Sequence, residues 1–341
     1  MSTVSNSSGG VWAASWRRLK TDRVGVVSMW IVGAFLLLVL LAATNIVASG
    51  WQQEVGVPNA PPTALGPQPQ EDTGVIAVPK GPNVDLSDID PLAPRYAEWA
   101  ERAKAFKTDE GTKAETLPLG GDRLGRDVLA KVIKGAEVSI FVGLAAAVVA
   151  TLIGTVLGAV SGFFGGKVGD FLEWVYNVFT AIPSILLIFA FAAIFPRGVG
   201  AVVAILALTG WTGIYRLIRA EFMKHRVREY VRSAEAIGAS QSSRMFKHIL
   251  PNVSHVALVQ LSLHVVSFIK SEVILSYLGL GVGVDQVSWG TMLGEAQNEL
   301  ILGYWWQLAV VAAFMAVFVT AFALFTDALR DALDPKLRGL E

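Results

Sequence analysis

Side chains able to do chemistry are scarce in the apolar stretches of this chain, and most of them gather in one. Between Val253 and Gly281, Gln260, His264, Ser267 and Ser271 recur at offsets of 0, 4, 7 and 11. At ~100° per residue they fall within about 60° of one another on a helix. A polar stripe of this kind lines a water-filled path or hydrogen-bonds a neighbouring helix, and the spacing serves either. Lys270 and Glu272 flank the stripe about 160° apart, so they cannot pair with each other. Each must face protein, water or the membrane rim, although Lys270 could also snorkel.

No constellation for catalysis accompanies the stripe. A phosphate-cradling loop needs GxxxxGK followed by Ser or Thr. Gly165-Gly166-Lys167-Val168 lacks both the first glycine at that spacing and the hydroxyl residue. The four histidines, His225, His248, His255 and His264, show no metal-ligand spacing, and there is no HExxH. With no cysteine in 341 residues, disulfides, thiolate metal sites and cysteine nucleophiles are closed. The sequence therefore predicts no catalytic residue, no metal site and no ATP site on this chain.

These residues must be positioned by membrane elements. Hydrophobic residues make up 53% and charged residues 16%, with mean hydropathy +0.52; soluble domains carry about 25% charged residues. Zero net charge gives no basic surface for nucleic acid. About 20 apolar residues cross a bilayer core, and six runs qualify: Val24–Ala48, Val138–Phe163, Phe171–Phe195, Val199–Ile218, Val253–Gly281 and Trp305–Asp327. The first follows Arg17, Arg18, Lys20 and Arg23 and reads as a retained signal anchor, being longer than a cleaved signal's apolar core. The sequence thus predicts an all-α, polytopic bundle of six transmembrane helices.

The basic residues orient it. Arg216, Arg219, Lys224, Arg226, Arg228, Arg232, Arg244 and Lys247 cluster in one loop, while Val282–Tyr304 holds none. This predicts that loop and both termini to be cytoplasmic. The organisation is then a cytoplasmic N-terminus at 1–23, a first helix at 24–48, an extracytoplasmic loop at 49–131, a five-helix core at 132–329 with an inner loop at 220–250, and a cytoplasmic C-terminus at 330–341. Residues 49–131 hold ten of the fourteen prolines, and their nine basic residues escape the orientation rule because the loop is long. Residues 58–94 should be extended or irregular. Pro94–Lys107 spaces Tyr96, Trp99, Ala103 and Phe106 as a short amphipathic helix resting on the outer face.

Within the spans, Ala146, Ala150, Gly154, Gly158 and Gly162 form a ridge of small residues that predicts close helix packing. Pro183 predicts a kink in the third span, static or hinged. In the basic loop, Tyr230, Ala234 and Ile237 share a helical face, and Gly238 offers a left-handed cap. Ser240 can cap a second short helix, after which Pro251 starts the next span. Two short helices joined at Gly238 are expected to project inward, with Ala234 and Gly238 small enough to admit another protein's surface.

That loop resembles the EAA motif of ABC-importer permeases. The pattern EAAxxxG, nine residues, then IxLP matches Arg232-Ser233-Ala234, Gly238 and Leu250-Pro251 in register, with Arg232, Ser233 and His248 departing from it. Leu119–Gly143 (LGGDRLGRDVLAKVIKGAEVSIFVG), Gly210–Phe222, Leu275–Gly281 and Ser288–Leu293 are similar to further signatures of the C-type subunit of dipeptide and oligopeptide permeases. The loop from 49 to 118 is longer than is typical. The resemblance implies the type I importer permease fold and a transport subunit, not an enzyme. It implies a sister permease, two ATP-binding subunits that hold ATP and Mg, an extracytoplasmic binding protein and a peptide cargo. Tyr230, Arg232, Ser233, Ala234, Gly238, Ala239, Leu250 and Pro251 would form the ATPase-coupling loop. Gln260, His264, Ser267 and Ser271 would line the path. The rival reading is an ion-coupled secondary transporter or channel, with Lys270, Glu272 and Glu173 as relay groups.

Overall fold

A computed structural model describes residues 19–67, 90–105 and 113–333. Residues 1–18, 68–89, 106–112 and 334–341, and with them the expectations placed there, lie outside the described residues. The chain divides into two compact units, Met1–Trp51 with Val128–Glu341, and Gln52–Asp127.

The first unit is helical. Its helices are α1 (Arg23–Ala43), α3 (Val128–Phe164), α4 (Gly166–Thr180), α5 (Ser184–Ile194), α6 (Val199–Arg226), α7 (Glu229–Ala236), α8 (Gln241–Tyr277), α9 (Trp289–Ile301) and α10 (Trp306–Leu333), with α2 (Tyr96–Ala105) in the other unit. Among the described residues, α1, α3, α6, α8 and α10 are each long and apolar enough to cross a membrane, and α4 with α5 makes a sixth span if counted together. The helices overrun the apolar runs that announced them: α3 begins at Val128, α6 reaches Arg226 and α8 starts at Gln241. Hydropathy marks the hydrocarbon zone, whereas a helix continues into water wherever its backbone bonds are made.

The third span departs from its expected form. Pro183 does not merely kink it: α4 and α5 meet at 85°. Pro183 has left the helix (ψ 129°), and its carbonyl accepts from Leu186 and Leu187 to start α5. With no N–H to continue α4, the chain turns there completely.

Helix α3 is the centre of the unit. Its small-residue ridge lies directly on α6, with Gly154, Gly158 and Gly162 facing the carbonyls of Trp211, Tyr215 and Arg219 in turn. A β-carbon on these glycines would stand 2.6, 2.7 and 2.5 Å from those oxygens. Both series rise together, so α3 and α6 run parallel and the broken span must carry the chain back between them. On another face Gly143 meets Ile269 and Val265 of α8, which runs antiparallel. The close packing expected of the ridge is what the structure shows.

Among its described residues the second unit has little regular structure beyond α2. Asp122 is fully buried and accepts from the amides of Leu124 and Arg126 at 2.9 Å and from Arg126 Nε at 2.6 Å. Gly125, at φ +78°, lies so close to the Gly56 carbonyl that a β-carbon would be 2.0 Å away. The Asp-x-x-Gly-Arg stretch is therefore a carboxylate-tied turn that only glycine can complete. Helix α2 carries an Arg102–Glu98 ion pair at 2.7 Å, and the Arg95 guanidinium lies 5.7 Å from the Trp99 ring centre.

Replacing Gly158 by Val should destabilise the protein by ~1–3 kcal/mol through overpacking, read as a lower Tm in detergent. Gly200→Ala, where nothing lies within 4 Å, should melt no lower than the parent. Equal Tm values for Gly158→Val and the parent would contradict the contact.

Candidate functional site

At the arginine-rich end, α7 and the start of α8 form an elbow. Arg228 precedes α7 in extended backbone, and Gly238 ends it at φ +87°, with its amide bonded to the Glu235 carbonyl and the Ala239 amide to the Ala234 carbonyl. Ser240 then caps the next helix through the Ser243 amide at 3.3 Å. No separate short helix follows, contrary to expectation. Helix α8 runs from Gln241 through Pro251 to Tyr277, with a π-type winding over Arg244–Ile249. The wider turn stands just ahead of Pro251, where the ring would otherwise clash with the preceding turn.

The buried side of α7 is Val231 and Ala234, whereas Tyr230 and Ile237, expected on one face with Ala234, are exposed. Val231 sits inside a cluster with Phe163, Ile218, Phe222, Met245 and Ile249, and Ala234 is only 4% exposed. Within this chain its methyl is covered, and the exposed side of α7 is carried by its neighbours. Ile237, as the residue closing the helix, swings outward to 86% exposure beside Gly238. Arg232, Ser233, Ala236 and Gly238 are exposed with it, Ala239 and Leu250 are half-buried, and Pro251 is exposed. Tyr230 is tied by its hydroxyl to His225 Nδ1 at 2.8 Å, and burial holds its phenol above the usual range. Sequence reasoning missed Ile237 as the apolar tip, although a large apolar residue directly before a cap glycine is a readable signal.

Polar contacts bind the elbow to the helix ends. Arg244 pairs with Glu235 at 2.6 Å and lies 5.7 Å from the Phe163 ring centre. Arg226 donates to the Phe163 carbonyl at 2.9 Å, satisfying an end group of α3. Arg219 pairs with Glu173 at 2.9 Å and donates to Ser161, whose hydroxyl also meets that of Tyr215. Glu173, considered as a relay group, is thus half of an ion pair that fastens α4 to α6.

The polar stripe on α8 does not stay together. Ser267 and Ser271 line a groove of about 450 Å³ against α10, with Lys270, Ser262, Thr326 and Asp327. His264 turns instead to the Phe268 ring, with centres 5.0 Å apart, and Gln260 is half-buried outside that groove. Glu272 points the other way from Lys270, as expected. It is fully buried, accepting from Ser276 Oγ at 2.7 Å with Ser139 and Ser288 around it. The Trp289 amide donates to Ser139 at 3.1 Å, so the cluster knots α3, α8 and α9. A second groove, about 610 Å³, lies between α1 and α10 and is lined mainly by apolar residues such as Val24, Val27, Val317 and Leu324. Among the described residues no three His, Asp or Glu side chains group as metal ligands.

Residues 154–339 match the family of binding-protein-dependent transport system inner membrane components. The chain belongs to this family. Residues 10–62 match the N-terminal transmembrane domain of oligopeptide transport permease C, which makes it a permease of the C type. It is similar to the oligopeptide transport system permease protein OppC of Bacillus subtilis (strain 168), with 39% identity over 220 residues, 64% of this chain and 72% of the relative. OppC of Escherichia coli (strain K12) is 36% identical over 241 residues, 71% of this chain and 78% of the relative. The dipeptide transport system permease protein DppC of Lactococcus lactis subsp. cremoris (strain MG1363) is 28% identical over 322 residues, 94% and 90% of the two chains. The permease is a multi-pass inner-membrane transport subunit and not an enzyme.

Arg244→Ala should loosen the elbow by about 1 kcal/mol, the upper range for a partly exposed pair. Amide exchange over residues 229–240 should then quicken about fivefold under conditions of local opening. Unchanged exchange there would mean that the pair does not hold α7 down.

Proposed function

We propose that this permease imports peptides as the C-type membrane subunit of an ABC importer, beside a homologous permease and under two ATP-binding subunits. An extracytoplasmic binding protein delivers the cargo. The names of the relatives, oligopeptide and dipeptide permeases, support the cargo class. ATP and Mg belong to the partner ATPases, and this chain holds no cofactor of its own. The clustering of Arg and Lys around the elbow supports a topology with that end and both termini cytoplasmic, residues 49–131 outside, and lipid around the helices.

The single observation that carries the mechanism is the two-sided character of α7. On one side Val231 is buried among the ends of α3, α6 and α8 with Ala234 covered beside it, while Ile237 and Gly238 are exposed at the tip. An ATPase that grips Arg232, Ser233, Ile237 and Gly238 would move the elbow and the helix ends together, because Val231 packs on those ends and Arg244 ties α7 to α8. Closure of the ATPases on ATP then favours one packing of the bundle, and the loaded binding protein biases the same equilibrium from outside. Gln260, His264, Ser267 and Ser271 are proposed to meet the path through which cargo passes. An ion-coupled carrier finds less support, since Glu173 is paired to Arg219 and serines enclose Glu272.

Gly238→Leu meets no neighbour within 4 Å in the chain itself but forces a left-handed backbone, costing ~1–2 kcal/mol. In proteoliposomes holding the full complex, Gly238→Leu and Ile237→Asp should each reduce ATP-driven peptide uptake at least ~10-fold, a loss of ~1.4 kcal/mol or more in coupling, with normal membrane abundance. Uptake at the parental rate with both would contradict the coupling role.

A further inference from the structure

The groove between α8 and α10 carries two charges of opposite sign. Lys270 and Asp327 both line its roughly 450 Å³, together with Ser262, Ser267, Ser271 and Thr326. Among the described residues, no ion pair joins Lys270 to Asp327, and neither has a hydrogen-bond partner. Ser262, Ser271 and Thr326 donate to carbonyls of their own helices, at Leu258, Ser267 and Phe322, which leaves their oxygens able to accept. Charges inside membrane helices are costly unless water or a partner meets them.

We propose that this groove holds the peptide in transit, with the Lys270 ammonium taking the terminal carboxylate and the Asp327 carboxylate taking the terminal ammonium. The proposal rests on the peptide-importer reading above. The lining is electrically balanced, so a zwitterion neutralises both charges at once. An anion or a cation alone would leave one charge unmet, and an apolar solute would leave both. A volume of about 450 Å³ falls within the ~300–1,000 Å³ range of small-ligand sites. An extended chain advances ~3.3–3.6 Å per residue, so short peptides set their two termini at separations a groove of this size can serve.

The two charges also sit on different movers. Lys270 belongs to α8, which runs unbroken from the elbow, whereas Asp327 belongs to α10, which packs chiefly on α1. A displacement of the elbow is therefore transmitted to one charge more directly than to the other. Changing their separation would loosen a peptide held at both ends, which couples release to the nucleotide state.

The natural absence of cysteine allows a direct test. In the complete complex, with sister permease, ATPases and binding protein in proteoliposomes, Ser267→Cys is labelled with a small maleimide during turnover with alanyl-alanine. Labelling of Ser267→Cys should slow at least threefold when the peptide-loaded binding protein and ATP are present. Uptake by Lys270→Gln and by Asp327→Asn should fall at least tenfold, and Lys270→Arg should restore most of it. Unchanged labelling of Ser267→Cys while it transports peptide would overturn the groove assignment, as would parental uptake by both neutral variants. Failure of the unmodified complex to take up peptide on ATP would instead sink the importer reading.

Discussion

The contact on which the molecule depends is the approach of two backbones, α3 and α6, along Gly154, Gly158 and Gly162. In lipid the hydrophobic effect gives helices no reason to associate, so dispersion between closely fitted surfaces must do it. Glycine at every fourth residue lets the carbonyls of Trp211, Tyr215 and Arg219 come within distances that any side chain would forbid. The parallel pairing that results dictates much else. A return span must lie between α3 and α6 in sequence, and Pro183 breaks it at 85°. The basic ends of α6 are also brought beside the end of α3, where Arg219 and Arg226 find Ser161 and the Phe163 carbonyl.

From that pairing the elbow acquires its stiffness. Val231 seats on side chains supplied by α3, α6 and α8, and Arg244 ties α7 back through Glu235. Helix α8 leaves the elbow without a break. Near its far end it is knotted to α3 and α9 by Glu272, Ser276, Ser139 and the Trp289 amide. Helices α3 and α8 are thus joined at both ends, while α10 leans on α1. Ile237 and Gly238 stand exposed at the tip of this packed assembly, and the groove lined by Lys270 and Asp327 lies between α8 and α10.

Much of this was legible in the residues. The apolar runs announced the spanning helices, the spacing of small residues announced the α3–α6 contact, and Gly238 marked the elbow. What escaped the sequence needed knowledge of partners. Helical spacing placed Ile237 with Ala234, but a residue that closes a helix no longer follows the wheel, and Ile237 turned outward. Pro251 read as a starting point because a local rule cannot foresee the π-type winding that lets a helix pass through it. The four-residue stripe on α8 was a correct arc on an ideal helix. Phe268 then captured His264, and α10 took Ser267 and Ser271 into a groove with Asp327. The serines around Glu272 come from three helices, and no local pattern could assemble them.

The central claim is that the elbow and the helices beneath it move as one body when the ATPases bind nucleotide. Spin labels placed at Ile237→Cys and Leu217→Cys in the otherwise cysteine-free chain would report it, measured by pulsed dipolar spectroscopy in the full complex with and without ATP. The account predicts a distance constant to within the ~2 Å of ordinary helix adjustment, while labels at Ile237→Cys and Leu324→Cys on α10 change separation by more than that. A large ATP-dependent change between positions 237 and 217 would contradict it, since the elbow would then be hinged on the bundle and not part of it.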